Sequence, residues 1–239
     1  MTNSSNNPFW VVIPASGIGA RMQASLPKQY LKINDQAILQ ITINQMAKLN
    51  DLGINSIKGI VVAIAPHDNY FNSLNIDDHI QSCLGGDERV HSVLNALLHI
   101  QQQDNTNPWI LVHDAARPCV DLNDIQKLME HCTKTQQGGI LANKVVDTLK
   151  LKQNNKVSTI DRSNIWQAQT PQCFRLNDLI NAIQTGLRNN TLITDEASAM
   201  EAMGFEVALI EAKRSNIKIT QPEDLALAQF FLGSKLQVK

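Results

Sequence analysis

Three stretches constrain the fold more than any other feature of this chain: "FWVVIPA" (9–15), "IKGIVVAIA" (57–65) and "WILVHD" (109–114). Each is rich in β-branched residues and almost continuously apolar. A strand with one wet face alternates polar and apolar positions, whereas a strand covered on both faces does not. Segments of helical spacing lie between and after them. "AILQITINQMAKLN" (37–50) sets Ile38, Ile41, Gln45, Met46 and Leu49 at helical intervals, and "ERVHSVLNALLHIQQ" (88–102) puts Val90, Val93, Leu94, Leu97 and Leu98 on one face. "DLNDIQKLMEHC" (121–132) opens with Asp121 as its N-cap. Strands joined by helical crossovers run parallel. The expected class is α/β, a mostly parallel twisted sheet with helices on both faces. Ligands of such sheets sit outside the carboxyl ends of the strands, and three unusual stretches fall there: 13–31, 85–89 and 113–118.

The segment "KVVDTLKLKQNNKVSTIDR" (144–162) breaks the pattern. Two alternating runs flank the turn-like "QNN", which predicts a β-hairpin. A long hairpin with polar residues on both faces buries little of itself, so it is expected to project as an arm and pack on a second subunit. After it come a helix in "RLNDLINAIQTGLRN", a helix in "TDEASAMEAMG" ended by Gly204, strands in "FEVALIE" and "NIKIT", and a last helix from Pro222. No repeat or linker interrupts the chain, so 1–239 is read as a single domain with the arm, 144–162, inside it.

At 239 residues, 43% hydrophobic and 18% charged, the chain can bury a substantial core and does not have the composition of a disordered protein. A net charge of −1 argues against a broad nucleic-acid surface. Any anion site must therefore be local. Cys83, Cys119, Cys132 and Cys173 are scattered, with no C-x-x-C pair and no zinc spacing, which fits free thiols in a reducing cytosol. "MTNSSNNPFW" carries no basic residue ahead of an apolar run, unlike a signal peptide, and no apolar stretch is long enough to span a bilayer. A cytoplasmic protein with no membrane partner is expected.

The loop "PASGIGARMQASLPKQYL" (14–31) has no acidic residue and ends a covered strand. A dinucleotide fingerprint would need a third glycine where Met22 stands, and no Walker pattern is present. What remains is either an anion cradle or a surface loop whose basic residues are merely solvated. Gly17 and Gly19 let backbone N–H groups converge, Arg21 offers a planar fork, and Lys28 offers a point charge behind Pro27. In "GGDERVHSV" (85–93), Gly85 and Gly86 permit close approach to a flat ring, and Asp87 or Ser92 can bond a base or ribose; locally, a plain N-cap by Asp87 for the helix starting near Glu88 is the simpler explanation of the acid. In "HDAARP" (113–118), Asp114 stands at a strand mouth, where a carboxylate needs a cation. That cation is either magnesium shared with phosphates or Arg117. "TDEASA" (194–199) reads locally as a Thr-capped helix start. Lys218, in the apolar "NIKIT", is a further phosphate partner. His113 is read as positioning its neighbours.

Taken in order, "PASGIGARM…PKQYL", "GGDERVHSV", "VHDAARP", "DT", "DR…W…TPQ", "TDEASAME" and "NIKIT.PEDL.LA" resemble the 2-C-methyl-D-erythritol 4-phosphate cytidylyltransferase family from about Val11 to Phe230. The resemblance implies a Rossmann-like nucleotidyltransferase domain that is a homodimer through the β-arm. It implies Mg²⁺-dependent attack of methylerythritol phosphate on the α-phosphate of CTP, which releases pyrophosphate in the non-mevalonate isoprenoid route. It makes Arg21 and Lys28 catalytic and lines the nucleotide with Ala15, Ser16, Gly17, Gly86, Asp87, Ser92, Ala115 and Lys218. Asp114 is placed at the metal and both substrates. Arg117, Thr170, Thr194 and Lys218 are placed at methylerythritol phosphate, with Thr148 and Arg162 reaching it from the partner's arm. Three positions depart from the family pattern. Ser16 replaces an alanine and adds a hydroxyl near the phosphates, Ala20 replaces a basic residue, and Ser215 replaces an aspartate. Two other readings are kept: a cytidylyltransferase for another polyol phosphate such as ribitol 5-phosphate, and a non-catalytic nucleotide sensor.

Overall fold

The expected covered strands form the middle of one sheet. The computed structural model describes residues 8–17, 26–52, 57–77 and 79–234. Strands β1 (Phe9–Ala15), β4 (Ile57–Ile64) and β6 (Trp109–Val112) lie side by side and parallel, with β5 (Ile80–Leu84) parallel to β4 at one edge. Beyond β6 come β10 (Trp166–Arg175), β7 (Gly139–Lys144) and β11 (Ala208–Glu211), giving the order β11-β7-β10-β6-β1-β4-β5. Only β10 runs against its neighbours, pairing antiparallel with both β6 and β7. A short β2–β3 ladder (Lys32–Ile33 with Gln36–Ala37) precedes the first helix.

The pleat of β1 explains the two cores. Val11 and Ile13 face helices α1 (Ile38–Ala47) and α3 (Leu122–Thr135), packing with Leu39, Ile43, Leu128 and Met129. Trp10 and Val12 face α2 (Arg89–Gln103), α4 (Leu176–Arg188) and α5 (Glu196–Ala202), packing with Val93, Leu97, Leu179 and Met200. Period-two alternation thus feeds both layers, and each fully buried Val, Leu or Ile contributes roughly 1.5–3 kcal/mol. A third, small cluster sets Ile219 and Ala228 of the last helix α6 (Glu223–Ser234) against Ile33, Ile38 and Ala116. It anchors the chain beside Lys218.

The expected arm is β8 (Leu149–Gln153) paired with β9 (Lys156–Ile160), turned by Asn154 and Asn155 at positive φ and largely exposed. Several local expectations are corrected. "NIKIT" forms no strand; Ile219 donates one backbone bond to Ala116, and the stretch is an extended loop. "FEVALIE" is a strand only from Ala208. The helix after Thr194 is capped by Asp195, in a capping box with Ser198, because the aspartate oxygen reaches the Ser198 N–H at 2.9 Å. The cap position of α2 is Glu88, with no side-chain cap bond, so Asp87 does not serve as the N-cap. Asp121 does cap α3, accepting from the Asn123 N–H.

Candidate active site

Most of the described candidates converge at the carboxyl ends of β1, β5 and β6, as the geometry of parallel sheets favours. Ser16 and Gly17 follow β1, Gly85 and Gly86 follow β5, and His113 and Asp114 follow β6. A cavity of about 160 Å³ opens there, lined by Ala15, Ser16, Gly17, Lys28, Asp87, Asp114, Ala115 and Lys218 among others. Arg21 lies outside the described residues, as do Gly19, Ala20 and Met22.

The turn that carries Lys28 is tied down at three successive residues. The Lys28 ammonium donates to the Ile219 carbonyl at 3.1 Å, the Gln29 amide to the Ala15 carbonyl at 2.7 Å, and the Tyr30 hydroxyl to Asp68 at 2.7 Å. Lys28 is therefore half-buried and aimed, rather than trailing in solvent.

The glycine turn is built from close contacts. A Cβ on Gly85 would meet the Ser16 Cβ at 2.6 Å, and one on Gly86 would meet the His91 Cβ at 2.4 Å. Ser16 Oγ lies 2.6 Å from Ser92 Oγ, and Ser92 Oγ accepts from the Gly86 N–H at 3.0 Å. The Ser16 hydroxyl, expected near the phosphates, thus braces the turn. Ser92 is fully buried and braces it from the other side.

Asp114 is the electrostatic centre. Its Oδ1 accepts from Arg89 Nε at 3.0 Å, and its Oδ2 meets Lys218 Nζ at 2.9 Å and Arg117 Nε at 3.4 Å. Burial pushes the carboxyl up, but Arg89, Lys218 and Arg117 outweigh it and hold it well below the usual carboxylate range. The Arg117–Asp114 ion pair weighed above exists, within a larger cluster. Arg117 also donates to the Asn216 carbonyl at 2.7 Å.

Behind Asp114 runs a chain of neutral groups. The Asp114 N–H donates to Thr170 Oγ1, which is 3.1 Å from His113 Nδ1, while His113 Nε2 is 3.1 Å from the Arg117 carbonyl. A carbonyl can only accept, so Nε2 carries the proton and Nδ1 accepts from Thr170. Burial pushes the His113 pKa down to about 4, so the ring is neutral near pH 7. A bulge makes this contact: Ala168 pairs with Ala142 and Gln172 with Ile140, so 169–171 stand opposite Leu141 alone. The same bulge lets Asn216 Nδ2 reach Gln169 Oε1 at 3.0 Å and the Thr170 carbonyl at 2.8 Å.

A second, larger cleft of about 670 Å³ adjoins, lined by Arg117, Lys144, Arg214, Asn216 and Lys218 among others. Lys218 lines both spaces.

This geometry sits on a chain whose residues 9–234 match the family model described as 2-C-methyl-D-erythritol 4-phosphate cytidylyltransferase. The chain belongs to that family. The relative from Vibrio vulnificus strain YJ016 carries that name and is 46% identical over 226 residues, covering 93% of each chain. The one from Ruthia magnifica is 44% identical over 236 residues, covering 94% of this chain and 97% of its own. The solved Francisella tularensis 2-C-methyl-D-erythritol 4-phosphate cytidylyltransferase superposes with a TM-score of 0.78 at 40% identity, covering 93% of this chain and 99% of that one. A solved 4-diphosphocytidyl-2C-methyl-D-erythritol synthase gives 0.80 at 31% identity, covering 96% and 100%.

Against the family pattern, Thr148 and Arg162 are exposed on the arm side and lie in neither the 160 Å³ cavity nor the 670 Å³ cleft of their own subunit. Thr194 is exposed at the start of α5, beside a small cavity of about 130 Å³ shared with Arg89 and Glu196. Thr170 supports Asp114 and His113 from behind. Arg89 and Glu196 were not singled out in the sequence, yet Glu196 takes both Nη groups of Arg89, at 2.7 and 3.0 Å. One signal was available: an arginine opening a helix meets the positive end of its dipole and needs an anion.

Among the described residues no group of three or more His, Cys, Asp or Glu could hold a metal ion by itself. Asp114 alone still fits magnesium shared with phosphates. Magnesium is commonly bound by one or two carboxylates plus substrate oxygens, and Oδ1 spends one lone pair on Arg89. No helix among the described residues is long and apolar enough to cross a membrane.

Proposed function

We infer that the chain transfers the cytidylyl group of CTP to 2-C-methyl-D-erythritol 4-phosphate, giving 4-diphosphocytidyl-2-C-methyl-D-erythritol and pyrophosphate in isoprenoid biosynthesis. The observation that carries the mechanism is the position of Lys218 between the two spaces, paired to Asp114. The smaller cavity, with its glycine turn and Lys28, suits the nucleotide. The larger cleft, rich in cations, suits a phosphorylated polyol.

An oxygen of the acceptor phosphate attacks the α-phosphorus in line. The new P–O bond forms as the bond from the α-phosphorus to the β-bridging oxygen breaks, and pyrophosphate leaves with the electron pair. The nucleophile is already ionised, so the protein needs no general base. It has to position two anions and neutralise charge on the five-coordinate phosphorus. Lys28 is the described cation for that charge, with Arg21 as its companion from the loop. Gly86 and Asp87 face the base, and Ala115 faces the ribose. Lys218 and Arg117 hold the acceptor phosphate against its own repulsion from the triphosphate. Asp114 would hold Mg²⁺, which supplies charge neutralisation on the phosphates when bound. The exposed arm, with Val157 64% exposed, makes a homodimer in which Thr148 and Arg162 reach the other subunit's acceptor cleft.

Pyrophosphate release with CTP tests this directly, with methylerythritol phosphate and ribitol 5-phosphate as parallel acceptors, each with magnesium and with chelator. Turnover with methylerythritol phosphate that is abolished by chelation is expected. Faster turnover with ribitol phosphate would replace the acceptor, and CTP binding without pyrophosphate from either would make the protein a sensor.

A further inference from the structure

The pair formed by half-buried Arg89 and buried Glu196 has no task in the reaction as written above. Glu196 is 2% exposed, and burying a carboxylate is costly unless it is paired. Capping explains neither residue, although the dipole of α5 favours an acid at Glu196. Asp195 and Ser198 already cap α5, and Gln172 of β10 clasps its start by donating to Asp195 Oδ2 at 2.8 Å and accepting from the Ala197 N–H at 2.8 Å. Those bonds leave the Glu196 carboxylate pointing across to α2. Arg89, the first residue of α2, receives it with both Nη groups and sends its third nitrogen, Nε, to Asp114 Oδ1.

We propose that Glu196 and Arg89 form a positioning relay for the acceptor side of the reaction centre. Glu196 fixes the plane of the Arg89 guanidinium, Arg89 fixes the rotation of the Asp114 carboxylate, and Asp114 Oδ2 aims Lys218 and Arg117 at the acceptor phosphate. Among the described residues Arg89 is the side chain bonded to Oδ1; without it the carboxylate is freer to turn about its bond, so both cations lose a fixed anchor. A planar fork is required for this task. A lysine carries the same charge but cannot bond Glu196 twice and Asp114 once in one plane. Because the relay acts on Asp114, it spares the glycine turn and the base.

The proposal rests on the placing of Asp114 at the reaction centre, so Asp114→Asn is measured alongside. Arg89→Lys is expected to lower kcat about 10–100-fold, the usual cost of losing a group that orients a ligating residue. It should also raise KM for methylerythritol phosphate. In the Asp114→Asn background the Arg89→Lys substitution should add little, since its target is gone. Glu196→Gln, close to isosteric, should repeat the pattern in weaker form and stands in if the Arg89 variant fails to fold. Unchanged kcat and acceptor KM in Glu196→Gln, or fully additive effects in the double variant, would make the pair a plain helix tie and overturn the relay. If Asp114→Asn itself turned over normally, the placing of Asp114 would fall first.

Discussion

At the scale of single residues, the described charges of the proposed site are held by the fold itself. The Lys28 ammonium already donates to the Ile219 carbonyl, so little side-chain freedom remains to be lost on binding. Lys28→Ala should lower kcat by about 10²–10³, the cost of one preorganised donor. Its melting temperature should fall only slightly, since the neighbouring Gln29 and Tyr30 bonds remain. Stopped-flow turnover and calorimetry on the same preparation check both halves. His113 offers a second test. Its folded pKa is depressed to about 4 by burial, against about 6.5 when unfolded. The unfolded chain therefore binds a proton that the folded chain refuses between those values, so His113 costs stability as pH falls from 6.5 toward 4. By NMR its ring resonances should stay flat from pH 8 to about 5. Titration at 6.5 would contradict the neutral chain through Thr170.

At the scale of elements, the turn after β5 and the bulge in β10 decide where the chemistry sits. The Gly85–Gly86 turn leaves no room for side chains, with Ser16 and His91 already in contact distance. Gly86→Ala must displace the turn, and the expected result is a rise of about tenfold or more in the Kd for CTP, near 1.4 kcal/mol, with acceptor KM nearly unchanged. Calorimetric titration with CTP would show it. A loss confined to the acceptor would remove the turn from the nucleotide side. The bulge was not legible beforehand. "WQAQTPQCFR" (166–175) carries Gln, Thr and Pro where a central strand should be apolar, so its pattern does not announce a strand. Gln169, Thr170 and Gln172 are nonetheless buried, because Gln169 accepts from Asn216, Gln172 is satisfied by α5 and Thr170 by His113 and Asp114. Those partners are distant in sequence, so no local signal announces them.

At the scale of the whole molecule, Thr148 and Arg162 sit outside their own subunit's cavities while Lys28 sits inside one. If the arm completes the neighbour's site, Lys28→Ala and Arg162→Ala homodimers are both impaired, yet their mixture recovers activity. One of the two sites in a heterodimer then has an intact Lys28 and receives an intact Arg162. Recovery approaching a quarter of wild-type activity is expected from random pairing of equal amounts, since half the dimers are mixed and each restores one site. No recovery after verified subunit exchange would confine each site to one chain.

The sequence by itself determined the class of fold and the strand ends at which the candidate residues gather. A continuous apolar run must be covered on both faces, and a glycine or an isolated charge at its end has only a ligand, a cap or an ion pair to explain it. Tertiary structure alone decided which explanation held. It joined Arg89 to Glu196 across 107 positions, turned the Ser16 hydroxyl onto Ser92, and left Asp87 facing the cavity with no cap to make. Those outcomes depend on distances between elements, which strand and helix periodicity do not encode.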